Sequence, residues 1–170
     1  MTSSARLTSI VLACVLLAAF ETGFIASLPG AWRFLPVVFA TSVYLVQLRG
    51  WRFGGWLLAG FGVLLDLLGI GALPWQTLAY GAAALAVYAV SLHVFSNRSL
   101  YGLLGAGLAG WTAWAAGQAA VWGALALTRQ GAPDGRAFLA YLGWHLFFLM
   151  LLLAILFYAV PRRTRLPVHR

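Results

Sequence analysis

A chain of 170 residues that is 63% hydrophobic and 8% charged cannot clothe a soluble domain of its size in polar side chains. Its net charge of +8 comes from Arg alone. The arginines stand singly between apolar runs or gather in the C-terminal tail, which is a topology signal and not a groove for nucleic acid. A single Cys excludes an internal disulfide.

Apolar runs of about 20 residues, each long enough to cross a bilayer, follow one another without the alternation of an outer-membrane barrel. The predicted fold is therefore all-α: a polytopic membrane protein, a compact bundle of about six transmembrane helices. The predicted spans are residues 7–28, 34–48, 53–72, 75–95, 100–127 and 138–160. They make one transmembrane domain over 1–160, followed by a basic cytoplasmic tail at 161–170.

The first span carries Glu21 within its apolar run. Val11-Leu12-Ala13-Cys14 is a poor lipoprotein cleavage box, because the residues after it stay apolar, so the segment reads as a retained helix. The second is short, flanked by Trp32 and Trp51 as interfacial anchors, with Arg33 and Arg49 placed to snorkel. The third holds Asp66 in the uncharged run from Phe53 to Gly71, where an ionised group costs at least a few kcal/mol and marks a functional or packing site. Pro74 after Gly69-Ile70-Gly71 predicts a tight hairpin into the fourth, which ends near an interfacial His93.

The fifth span is long enough to tilt. Gly105, Ala109, Ala113 and Gly117 form one ladder of small residues along it, and Gly102, Ala106 and Gly110 another; Gly55 and Ala59 do the same in the third span. Such ladders let helices approach closely, inside the chain or against a partner. Trp111, Trp114 and Trp122 read as lipid- or partner-facing bulk. The sixth span carries His145 and leads directly into Pro161-Arg162-Arg163-Thr164-Arg165, a stop-transfer anchor drawn to anionic lipid at about 1 kcal/mol per Arg.

With six spans and both termini in the cytoplasm, Arg6, Arg49, Arg52, Arg98, Arg162, Arg163, Arg165 and Arg170 lie inside. Arg33, Arg129 and Arg136 lie outside, a ratio of eight to three that favours this orientation. A five-span chain with its N-terminus outside has the same ratio, so the bias fixes the tail and not the number of spans.

Glu21, Asp66, Gln118 and His145 all fall in the outer half of the predicted bilayer; Glu21 and Asp66 lie about 20 Å along their helices. Two readings fit: a polar pocket open to the outer side, with Tyr80 and Trp75 near, or interhelical hydrogen bonds at the interface. Catalytic, cofactor and metal sites are not predicted. The chain offers no Ser/His/Asp set at credible spacing, no HExxH and no P-loop, and its third carboxylate, Asp134, is in a loop. A non-enzyme is expected.

From residue 34 to residue 110 the chain resembles the rod shape-determining membrane protein MreD family. The resemblance is carried by Phe34-Leu35-Pro36, by the basic turn Arg49-Gly50-Trp51-Arg52, by Gly60-Phe61-Gly62-Val63-Leu64-Leu65-Asp66-Leu67-Leu68, and by the polar break Ser96-Asn97-Arg98-Ser99. Gly62, Asp66 and Leu67 match the family pattern position by position. Val37 stands where the family often has an acidic residue, and Pro74 where it usually has Gly.

The resemblance implies a non-enzymatic scaffold of the cell-elongation, peptidoglycan-synthesising machinery in the bacterial inner membrane. Its implied partner is an MreC-like single-span protein, with the elongation glycosyltransferase/transpeptidase and the MreB filament nearby. Asp66 and Gly62 would then be partner candidates, with Glu21, Gln118 and His145 as pocket candidates. MreD-like proteins are similar in turn to the substrate-binding subunits of energy-coupling-factor vitamin transporters. That similarity implies an alternative: a subunit that binds a small polar ligand in an outward pocket.

Overall fold

The computed structural model describes residues 12–50, 52–69, 74–94, 99–127 and 134–160. Those residues form helices and no strand. The helices are α1 (Leu12–Ser27), α2 (Val37–Arg49), α3 (Phe53–Leu68), α4 (Trp75–His93), α5 (Leu100–Leu127) and α6 (Gly135–Ala159). A short 3₁₀ helix, Gly30–Phe34, links α1 to α2. The predicted spans from the second onward coincide with α2 to α6 to within a few residues. The start of the first span and the whole 161–170 tail lie outside the described residues.

The all-α prediction therefore holds, and the lengths add a distinction. Only α4 and α6 are long and apolar enough, by length and composition, to cross a membrane. Helix α2 has 13 residues and α3 has 16, against the roughly 20 that a perpendicular crossing needs. Helix α3 stops at Leu68, four residues short of the predicted end. Helix α1 is not uniform either: it passes into a π turn at Phe20–Phe24 and a 3₁₀ turn at Ile25–Ser27. Thr22 and Ser27 hydrogen-bond back to the carbonyls of Ala18 and Phe24, and these side-chain bonds compete with the regular ladder.

Gly50 closes α2 in the left-handed conformation (φ 65°), with its N–H on the Val46 carbonyl, and turns the chain sharply into α3. Neighbouring helices run antiparallel from there on. Gly62 of α3 lies against Gln76 and Tyr80 of α4, Gly110 and Gly117 of α5 against Val87 and Ala79 of α4, and Gly107 of α5 against Leu153 of α6. The N-termini of α2, α4 and α6 consequently share one end of the bundle. The core runs between them through Phe39, Val43, Leu58, Ala83, Val87, Leu103, Ala106, Trp114, Leu149 and Leu153.

Close approach is where glycine is needed. A Cβ on Gly62 would sit 2.6 Å from the Gln76 carbonyl oxygen and 2.8 Å from Tyr80 Cβ; one on Gly54 would sit 2.6 Å from the Ser42 carbonyl oxygen. These contacts assign the ladders. Gly102, Ala106 and Gly110 are buried and Gly117 packs on Ala79, so α5 uses its small residues inside the chain. Gly55 faces no other helix of this chain, while Ala59 packs against the core. The packing glycines of α3 are Gly54 and Gly62.

Candidate functional site

Helices begin with N–H groups that have no partner within the helix. Pro36 and Pro74 occupy the N-cap positions of α2 and α4, and neither can offer a side-chain oxygen. In both cases a carboxylate from the preceding helix closes the gap. Asp66 Oδ1 accepts from Gln76 N at 3.0 Å, and Oδ2 accepts from Thr77 N at 2.6 Å and from the Thr77 hydroxyl. Glu21 Oε2 accepts from Val38 N in the first turn of α2. The third acid, Asp134, caps its own helix by accepting from Arg136 N at 3.2 Å. The chain has three carboxylates, and each closes the N-terminus of one even-numbered helix at the same end of the bundle.

What differs from the predicted span is where the helix ends after Asp66. The residue lies in the last turn of α3, two positions from its end, and is half-buried. Its charge meets three donors and the positive end of the α4 dipole. Gly62, one turn earlier, is the point at which α3 touches the first turns of α4. Gly62-x-x-x-Asp66 is thus a hairpin device, and Gly62 faces the protein's own helix, not a partner.

Gln118 joins the same layer from α5: its Nε2 donates to Gln76 Oε1 at 2.8 Å. Asp66 and Gln118 therefore meet on Gln76, one through its backbone and the other through its side chain. Glu21 and His145 belong to a second layer, one helical turn further in. There Tyr80 lies four residues beyond Gln76, and Trp114 four before Gln118.

The second layer takes a residue from every helix. Around Trp114 lie Tyr80 (ring centroids 6.1 Å), Tyr141 (5.7 Å) and His145 (4.2 Å, stacked at 16°). Phe39 of α2 meets Tyr80 and His145, Phe61 of α3 meets Tyr80 edge-on, and Glu21 of α1 acts electrostatically on Tyr80 and Tyr141. His145 is buried, whereas Trp75, expected near this pocket, is 40% exposed at the bundle surface.

Two residues that the sequence reading placed elsewhere or passed over belong to this hub. Trp114 is fully buried at its centre, which overturns its reading as lipid- or partner-facing bulk. Tyr141 was not singled out at all. A usable signal existed: Tyr141 and His145 are i, i+4 on α6, and Trp114 and Gln118 are i, i+4 on α5, so each pair shares a face. Trp111 and Trp122 are only partly buried, and Trp122 stacks on Phe138 at 5.4 Å.

A groove of about 400 Å³ lies between α1 and α3, lined by apolar side chains such as Val15, Trp56, Leu57 and Leu64, with Cys14 among them. No group of three or more His, Cys, Asp or Glu side chains that could hold a metal occurs among the described residues. No protein-family model matches the chain, and no curated protein or solved structure does.

Proposed function

We propose that this chain is a polytopic membrane protein of the bacterial inner membrane. In this reading it is a non-enzymatic, MreD-like scaffold of the cell-elongation machinery, with both termini in the cytoplasm. The membrane part rests on the surface: Trp56, Leu67, Leu85, Tyr101 and Tyr158 are each more than 70% exposed, on α3, α4, α5 and α6. Scattered apolar residues are ordinary on a soluble protein, but large ones on face after face require an apolar solvent. The short helices fit by local thinning of the bilayer and by snorkelling of Arg33 and Arg49 at the ends of α2. Arg33 already lies over the Phe34 ring, 4.7 Å from its centroid.

The scaffold part is carried by the Gly62-to-Leu67 pattern in its place between a short second helix and a small-residue fourth. The partner would be an MreC-like single-span protein, with the elongation glycosyltransferase/transpeptidase and MreB associated, and anionic lipid at the Arg-rich tail. A scaffold needs a rigid body and no reacting groups. In this bundle the carboxylates are committed to helix ends, which supports that reading.

Purification of the tagged protein from its own host in mild detergent, followed by mass spectrometry of what accompanies it, tests the proposal. Recovery of an MreC-like protein or the elongation synthase is expected. Recovery of an energy-coupling ATPase module, or of a bound small molecule, overturns it in favour of the vitamin-transporter alternative. Asp66 and Gly62 are poor probes of partner binding, because changing either disturbs the α3–α4 hairpin itself.

A further inference from the structure

The hub contains polar atoms that the bundle does not satisfy. His145 is 5% exposed and its Nδ1 has no hydrogen-bond partner among the described residues; Trp114 is 0% exposed and its Nε1 has only a poorly formed contact with the Tyr80 hydroxyl. The two rings are stacked 4.2 Å apart, so both open nitrogens belong to one layer. Buried polar groups are almost always met by protein or by ordered water, and a buried water commonly serves two to four of them.

Further observations bear on the same place. Glu21 sits in a π turn, a rare geometry that recurs at functional sites. Glu21 lies within electrostatic range of Tyr80 and Tyr141, the two rings that flank Trp114. Glu21 and Tyr141 are half-buried. The rings pack within 4.2 to 6.1 Å of one another, direct ring-to-ring contact that leaves no room for an organic ligand.

We propose that the hub is an internal water site. Water bridges His145 Nδ1 and Trp114 Nε1, and the hydroxyls of Tyr80 and Tyr141 connect it to the Glu21 carboxylate. The bundle is then held at its centre by a hydrated polar layer to which every helix contributes a residue. This holds whichever partner the protein serves.

Solid-state NMR on the full chain in bilayers, with ¹⁵N-labelled His and Trp, reads the site directly through magnetisation transfer from water. The His145 and Trp114 ring nitrogens are expected to receive water magnetisation several-fold faster than the Trp56 indole, which faces the bilayer. Trp114→Phe should slow the transfer to His145 several-fold with the remaining spectrum unchanged. His145→Leu should lower the thermal midpoint in detergent. Absence of water transfer to both rings in the wild-type protein, or a raised midpoint in His145→Leu, overturns the proposal, because a dry site gains by losing an unmet polar atom. The wild-type transfer experiment needs no variant to fold.

Discussion

A carboxylate within an apolar bundle has to be either neutralised or used, and here all three are used on helix N-termini. Asp66 holds three donors, so Asp66→Ala should cost about 1–2 kcal/mol of stability. Asp66→Asn, which keeps one acceptor, should cost less; thermal unfolding in detergent orders the two. Trp114 has the larger stake, because Tyr80, Tyr141 and His145 all pack on it. Trp114→Ala should cost about 3–5 kcal/mol, at the upper end for a large-to-small core change, and Trp114→Phe distinctly less in the same assay. Asp66 could be found in the sequence because a lone charge in an apolar run stands out. Its place in the last turn could not, because Gly69-Ile70-Gly71 is as apolar as the helix before it and hydrophobicity does not mark where a membrane helix stops. Trp114 was misread for a related reason. Helix α5 is apolar all round, so no polar stripe in its sequence says which face turns inward.

Pairs of helices are set by the glycines at their crossings. Gly62→Ala would press a Cβ onto the first turn of α4, and should cost about 1–3 kcal/mol as an overpacked contact. Gly55→Ala, one residue from the Gly54 contact and facing open space, should be neutral or gain up to about 1 kcal/mol from helix propensity. Opposite outcomes for two Gly→Ala changes in one helix, read by thermal midpoint, would confirm the assigned face of α3. The element order and most helix limits were legible from apolar run lengths and from Gly and Pro between them. The broken end of α1 was not: a π turn leaves no pattern in the sequence, and Glu21 there read as a polar residue within a continuous apolar span. What breaks the helix is local, side-chain bonds from Thr22 and Ser27, and what holds the break is distant, the α2 N-terminus that Glu21 closes. Residues 21 and 38 meet only in three dimensions, so neither implies the other from spacing.

At the scale of the whole molecule the bundle has two unlike ends. The N-termini of α2, α4 and α6, the three carboxylates, the polar layers and Arg33 and Arg136 lie at one end; Arg49 and Arg52 lie at the other. Between them is an apolar surface, and the protein should therefore stay with the membrane fraction after an alkaline carbonate wash that strips peripheral proteins. The central claim is that this bundle crosses the membrane with its carboxylate end outward. It is tested most directly by labelling single cysteines with an impermeant maleimide in a Cys14→Ser background. Ala137 and Arg52, both exposed at opposite ends of the bundle, are suitable positions. Ala137→Cys should label in intact cells, and Arg52→Cys only after the inner membrane is opened. Equal labelling of both in intact cells, or the reverse pattern, would contradict the account.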